Sequence, residues 1–373
     1  MRNIKDVIKK TLRIFHIKKI IGISVYTNSK DIKIVPFSKS EIFNMPEYRD
    51  IFGNTHEGFN SYKAKIPDYY VLKVNLGKCV IGYEEVYTRD NKVLLELTSQ
   101  KINPFLNSSI KRLSNVVSIN GSVVNLSLSG LENNYYHFLV EFSARLFMLK
   151  KLDIKPDYYI YPMNTAFQKD FLMYFGINSD KVIILNEGTT IQAETLIAPA
   201  LINNWELVKF RNVIHYQKQY LPYWISNIYN DLILPKKGNK YIYISRKQAK
   251  YRKVINEEIV IDYLKSKNFE IHYLENYSVN QQIELFNQCS VLVAPHGAGL
   301  INMCYCAPGI KILELFPKYY HDHGLLLQAL MLKHKYNYLI SDTVITDGIP
   351  PQQEDIIIDI NLFAQAVELL LSQ

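Results

Sequence analysis

The chain has no apolar run of about 18 residues, the length a helix needs to cross a bilayer, so nothing in it reads as a transmembrane helix. Its basic start lacks a continuous apolar core and a small-residue cleavage site, so it does not read as a secretory signal. Cysteine is scarce. The four present (Cys79, Cys289, Cys304, Cys306) form no paired zinc-ligand spacing, Cys304 and Cys306 standing one residue apart. They are expected to be reduced and mostly buried, in a cytosolic compartment. Internal repeats and low-complexity tracts are lacking too. With 48% hydrophobic and 13% aromatic residues, a chain of 373 residues can build full cores, which excludes disorder and suits two domains or one large one.

What is present begins with charge. A net +8 suits an anionic partner: nucleic acid, lipid headgroups or a phosphate-bearing substrate. No nucleic-acid module is recognisable, and the basic residues gather at the N-terminus and in one loop, so nucleic acid is set aside. The 28 tyrosines are unusual, and half-buried core positions are the expected use for most of them. Residues 2–20 read as a basic amphipathic helix. Ile4, Val7, Ile8, Leu12 and Phe15 fall at helical spacing, with Arg2, Lys5, Lys9, Lys10, Arg13, Lys18 and Lys19 around them. Such a helix suits an anionic membrane surface, as it also suits packing on its own domain.

Residues 69–129 read as β-rich, including a hairpin around Asn120-Gly121. A helix within 131–152, capped by Asn133 or Asn134, a strand at 158–161, a helix over 166–175, strands at 182–185 and 195–198, and a long helix over 206–231 then follow an α/β pattern. Residues 234–239 (LPKKGN) read as a linker. Beyond it strands and helices alternate regularly to the end, as in a doubly wound parallel sheet. The expected organisation is therefore a short N-terminal helix over 1–20, an α/β domain with a β-rich start over 21–235, and a Rossmann-like domain over 236–373.

In such a sheet, ligands bind beyond the carboxyl ends of the strands. Three successive places of that kind carry suitable groups. The loop after strand 241–244 holds Ser245, Arg246, Lys247, Lys250, Arg252 and Lys253, then Asn256 as the expected helix cap. Arginines beside a helix start suit a diphosphate, because the guanidinium fork binds two oxygens at once. The second place is the turn His296-Gly297-Ala298-Gly299-Leu300, where glycines let backbone N–H groups approach a phosphate, although such a turn also serves as a tight connection. The third is Glu314 near the end of the next strand, where a carboxylate can accept from ribose hydroxyls. Together they describe a nucleotide diphosphate site. In the first half, His137 and Glu141 lie four apart on one helix face, suited to taking a proton from an attacking hydroxyl.

These segments together resemble glycosyltransferase family 61. The resemblance rests on N-Y-Y-H-x-x-x-E at 134–141, the Y-I-S-R and R-K-V-I-N-E-E runs within 243–258, A-P-H-G-A-G-L-x-N at 294–302, and P-G-x-x-x-L-E-L-F-P at 308–317. It implies a GT-B fold, two Rossmann-like domains facing a cleft, and inverting transfer of a sugar from a nucleotide diphosphate, UDP being the expected one. It implies no metal or other cofactor. The acceptor implied is a glycan hydroxyl, on a lipid-linked or polymeric bacterial surface polysaccharide, with the enzyme in the cytoplasm or peripheral on the inner membrane face. Arg246, Arg252 and residues 296–300 would hold the diphosphate and Glu314 the nucleoside. The family pattern has Asp where this chain has Glu141, one methylene longer. The competing readings are a sugar-phosphate or pyruvyl transferase on a similar fold, and a non-catalytic scaffold of a polysaccharide synthesis complex.

Overall fold

The computed structural model describes residues 8–10, 15–16, 19–21, 30–97, 112–113, 116–202, 205–210, 214–233, 238–345 and 348–373. The chain divides into two compact units, Met1–Glu41 with Pro67–Asn203, and Ile42–Ile66 with Asn204–Gln373. The division thus falls at 203/204 instead of 235/236, and an early segment belongs to the later unit.

The first unit is built on a ten-stranded mixed sheet. The strands used below are β1 (Ile32–Ser38), β2 (Tyr69–Asn75), β3 (Lys78–Val80), β4 (Val86–Tyr87), β5 (Lys92–Leu94), β6 (Val117–Asn125), β7 (Tyr158–Ile160) and β8 (Thr190–Pro199). β7, β6 and β8 run parallel to one another, and β5 runs parallel to Lys19–Ile21; β2 and β3 meet β8 antiparallel. The hairpin expected at Asn120-Gly121 is instead one continuous strand whose register slips between Ile119 and Ser122. Gly121 supplies the left-handed conformation (φ +99°) that this bulge requires. Ser122 then clasps Asp157 through its N–H and Oγ, at 2.8 and 2.7 Å. Residues 182–185 form only a bridge from Val182 to Tyr159, not a strand. Leu72, Val74, Val123, Ile191 and Leu196 anchor the core, crossed by α1 (Ser143–Lys151) and α2 (Ala166–Tyr174).

The amphipathic helix expected over residues 2–20 does not form where that segment is described. Ile8–Lys10, Phe15–His16 and Lys19–Ile21 are short strands, pairing with β6, with Arg112–Leu113 and with β5. Isoleucine recurs at 4, 8, 14, 17, 20 and 21, and β-branched side chains favour extended backbone once an open sheet edge offers pairing. The interfacial helix therefore has no support among the described residues.

In the second unit the long helix expected over 206–231 is a hairpin, β9 (Trp205–Phe210) and β10 (Ile214–Gln219), followed by short 3-10 turns. Apolar and polar residues alternate with period two at 214–217, and Pro222 bars continuation. The core of the unit is a six-stranded sheet. Its strands are β11 (Lys240–Ile244), β12 (Phe269–His272), β13 (Cys289–Pro295), β14 (Lys311–Pro317), β16 (Lys335–Val344) and β17 (Asp355–Ile357). A short strand, β15 (Tyr320–Asp322), leaves this sheet to pair with β10. The spatial order is β12-β11-β13-β14-β16-β17, all parallel except β17.

Counting only the parallel strands, that is the doubly wound order in which direction reverses between the first and third. Near-continuous apolar runs, such as residues 291–294, make strands that can be buried on both faces. Leu313 and Leu315 join Val291, Val293 and Tyr243 on the face covered by α3 (Glu257–Ser266) and α6 (Ile360–Ser372). Ile312, Glu314 and Phe316 alternate to the opposite face. α4 (Val279–Asn287) and α5 (Gly324–Met331) complete the unit. Residues 42–66 close it through Tyr48, whose hydroxyl donates to the Tyr336 carbonyl at 2.6 Å, and Ile51, whose N–H donates to the Tyr338 carbonyl. Phe59 stacks on Tyr338 with centroids 4.0 Å apart.

Replacing Gly121 by alanine should cost about 1 kcal/mol or more, from the positive φ and from a Cβ placed 2.8 Å from Asp157 Oδ2. Urea denaturation of the two proteins measures this, and equal midpoints would contradict the bulge.

Candidate active site

The reversal point of the second sheet lies between β11 and β13, and the basic loop and the glycine turn both leave it there. Pro295 ends β13, and the His296 N–H still donates to the Leu315 carbonyl at 2.8 Å, so the turn starts from a fixed place. Residues Ala298–Tyr305 follow as a 3-10 helix. A side chain at Gly297 would put its Cβ 2.0 Å from Nη1 of Arg246. Glycine is needed there so that the guanidinium can lie against the backbone.

Arg246 donates from Nε and Nη2 to the Tyr251 carbonyl, at 3.3 and 2.8 Å. Arg252, itself in the left-handed region (φ +54°), donates from Nε to the His296 carbonyl at 2.9 Å and from Nη1 to the Gln352 carbonyl. Burial, then the neighbouring Arg252, brings Arg246 down to about 10, and burial also lowers Arg252. Neither guanidinium has a carboxylate within ion-pairing distance among the described residues. Two adjacent, largely buried cations whose hydrogen bonds among the described residues go to carbonyls are chemically suited to an anion.

The other expected donor residues divide. Ala298 and Gly299 are partly exposed in the turn, while Leu300 is buried beneath it. Ser245 is buried, its Oγ accepting from the Lys247 N–H at 3.1 Å. Asn256 does not cap α3 with its side chain. It both donates to and accepts from the backbone of Ile358, at 2.8 and 3.0 Å, which consumes its amide. Glu314 is not placed to meet a nucleoside. It is fully buried; Oε1 lies 2.5 Å from Nδ1 of His296, and Oε2 accepts from the Tyr336 hydroxyl. The sequence placed an acid at the right strand end, but strand alternation turns it inward beneath the turn.

His296 is stacked on Phe316 (centroids 4.9 Å) and meets the Tyr320 ring edge at 5.6 Å. Burial pushes the Glu314 carboxyl up to about 8, and burial with Arg252 brings His296 down to about 3. The contact is therefore one between a carboxylic acid and a neutral imidazole, not an ion pair. β15 adds two residues that sequence reading missed, Tyr320 and Asp322, joined by a 3.0 Å hydrogen bond; both act electrostatically on Arg252. Their only signal was polar character just past the last motif.

In the first unit, Asn134 caps the helix start by accepting from the Tyr136 N–H at 2.9 Å. His137 Nδ1 lies 2.6 Å from Glu141 Oε1, so the expected pair is in contact. Glu141 falls in a π-helical turn, Phe138–Phe142, a distortion that recurs at functional sites. Arg145 lies one turn further on. It is buried and donates to the carbonyls of Asn125, Ser127 and Pro199, at the carboxyl ends of β6 and β8. Glu84, Glu132 and Glu141 surround it electrostatically. Glu85 is buried nearby in sequence, raised to about 7 by burial and by Glu84. Arg145 was hidden within an ordinary helical pattern, and the acids at 84 and 85 lay in a loop with no motif.

All four cysteines are free and buried. Among the described residues no group of three or more His, Cys, Asp or Glu is arranged around a metal position, and no helix is long and apolar enough to cross a membrane.

Residues 135–313 match the family model for glycosyltransferase 61. The chain carries a glycosyltransferase 61 domain, and with it the class of activity: transfer of a sugar from a donor to an acceptor. The matched stretch takes in His137, Glu141, both arginines and the glycine turn, and ends one residue before Glu314. No curated protein matches the chain.

The Glu314 proton gives a pH signature. The folded state binds it up to about pH 8, whereas an unfolded glutamate releases it near its ordinary 4.5, so stability falls as pH rises through that window. Glu314→Gln should flatten this decline, measured by urea denaturation at pH 5 and pH 8. An unchanged difference between the two pH values would place the proton elsewhere.

Proposed function

We propose that the chain is an inverting glycosyltransferase that moves a sugar from a nucleotide diphosphate, UDP by expectation, to a glycan hydroxyl. The observation that carries this is the pair of largely buried guanidiniums, without ion-paired carboxylates among the described residues, at the strand ends where a doubly wound sheet takes nucleotides. In a direct displacement, negative charge grows on the departing diphosphate. Cations already fixed at that place stabilise it without reorganisation. The charge is met by Arg246 and Arg252, which is why the proposal takes the transfer as metal-independent.

Proton removal from the acceptor hydroxyl is assigned to the His137–Glu141 pair. Nδ1 of His137 is engaged by Glu141, so the carboxylate orients the imidazole and steadies the imidazolium formed when the pair takes the proton. Contact between the two persists although Glu141 is one methylene longer than the family's Asp. The GT-B organisation, a cytoplasmic setting and a lipid-linked or polymeric surface polysaccharide as acceptor belong to the same proposal, on the strength of the resemblance.

A thermal-shift screen against nucleotide sugars and free nucleotides identifies the donor and separates this reading from a sugar-phosphate or pyruvyl transferase. Arg246→Ala and Arg252→Ala should each weaken UDP at least about 10-fold, the worth of one charge-assisted hydrogen bond. Gly297→Ala should do the same by displacing Arg246. Calorimetry showing undiminished affinity in both arginine variants would remove the donor site. Glu141→Gln and His137→Ala should lower turnover by about 100-fold or more while UDP affinity is kept. Full turnover in either variant takes that residue out of the chemistry.

A further inference from the structure

The trio behind the glycine turn has one polar atom without a protein partner. Glu314 and Tyr336 are fully or almost fully buried, and both carboxyl oxygens are engaged, Oε1 by Nδ1 of His296 and Oε2 by the Tyr336 hydroxyl. His296 is clamped between its stacking on Phe316 and the edge of Tyr320, so its ring cannot turn to exchange its nitrogens. Nε2 makes no hydrogen bond among the described residues and is not among the buried polar atoms lacking one, so it is open to solvent. The carbonyl of the same residue holds Arg252. An anion bound by the arginines therefore arrives beside this imidazole.

The proton between Nδ1 and Oε1 has two places to rest. If the carboxyl keeps it, Nδ1 accepts and Nε2 must carry hydrogen. If the imidazole takes it as well, the ring becomes a cation facing a carboxylate. The surrounding charges decide between them. Burial, Arg252 and Arg246 oppose a positive ring, and Asp322 favours it. On the carboxyl side, Tyr336 and Arg252 favour the ionised form against burial. With the site empty of anion, burial and the two guanidiniums keep the ring neutral; an anion that neutralises the guanidiniums removes their share of the opposition and adds an attraction of its own for a positive ring.

We propose that Glu314, supported by Tyr336, is a positioning residue that passes its proton to Nδ1 of His296 when negative charge gathers at the arginines, so that the ring meets the departing diphosphate as an imidazolium donating from Nε2. This rests on the donor-site reading above. The glycosidic bond to the diphosphate oxygen breaks with its electron pair staying on that oxygen, as the acceptor oxygen bonds to the sugar carbon and gives its proton to the base in the first unit. In the same displacement the Glu314 O–H bond breaks, its pair remaining on Oε1, and the Nδ1 lone pair forms the new N–H bond. Tyr336 donates to Oε2 of the carboxylate so produced. The His296–Glu314 pair stays neutral overall, and no proton comes from solvent. On product release the proton returns to Oε1.

The test is nitrogen NMR of the full chain labelled with ¹⁵N-histidine, the His296 signals being assigned by their loss in His296→Gln. The free protein should show hydrogen on Nε2 alone. Saturation with UDP or with inorganic diphosphate should move both ring nitrogens to the protonated range, at constant pH. In Glu314→Gln, whose amide can still donate to Nδ1 and accept from Tyr336, His296 should stay protonated at Nε2 alone with either ligand. Hydrogen on Nδ1 in the free protein, or an imidazolium already present there, overturns the proposal whether or not the variant folds. Binding with no change at His296 overturns the proton shift alone and leaves the donor site standing. Failure of both ligands to bind overturns the donor reading and this proposal together. An imidazolium in ligand-bound Glu314→Gln shows that the proton comes from elsewhere and overturns the role of Glu314.

Discussion

Two positive charges held close together, with no ion-paired carboxylate among the described residues, are the constraint around which the second unit is arranged. Arg246 and Arg252 repel each other, and burial disfavours the charge of both, while acids such as Asp355 and Asp322 offset this from a distance. Among the described residues, the Tyr251, His296 and Gln352 carbonyls accept their hydrogen bonds. That arrangement costs stability in the empty protein, and the fold spends several local peculiarities on keeping it. Arg252 takes a left-handed backbone, Gly297 gives up a side chain, and Pro295 fixes where the turn begins. A protein that tolerates such a pair gains by it when an anion arrives, because the repulsion becomes attraction with no further rearrangement.

The first unit solves a related problem with the opposite outcome. Arg145 is also buried, but three acids surround its charge and three carbonyls accept from Nε, Nη1 and Nη2. Its charge is met within the fold. It ties the helix carrying His137 and Glu141 to the carboxyl ends of two parallel strands, next to the π-helical turn that holds Glu141. One buried arginine thus braces the His137–Glu141 pair, and two others stand at the strand ends with charge to spare.

The parallel strands, the glycine turn and the arginine loop were legible in the sequence because each is a local pattern: an apolar run, a pair of glycines, a cationic cluster ahead of a helix. The His137–Glu141 contact was legible for the same reason, being fixed by helical spacing. What escaped depended on partners distant in the chain. Residues 206–231 have enough apolar content to pass as a helix, and only pairing with Tyr320–Asp322 and with each other makes 205–219 a hairpin. Residues 2–20 failed similarly, their strands existing through sheet edges supplied by β5 and β6. Glu314 shows a finer failure. Its strand and its place near the strand end were read correctly, but which way it faces depends on a tyrosine on the neighbouring strand and a histidine beyond the previous one.

The segment 42–66 carries a consequence for how the molecule is made. It belongs to the second unit, yet more than a hundred residues of the first unit separate it from the strands it packs on. As the chain emerges from the ribosome, Tyr48, Ile51 and Phe59 are synthesised long before Tyr336 and Tyr338 exist to receive them. Domains generally fold as units in order of synthesis, and here the first unit is complete while this piece of the second still waits. The second unit is therefore delivered after the first, and a fragment starting at 204 would emerge without the strip that covers its final parallel strand.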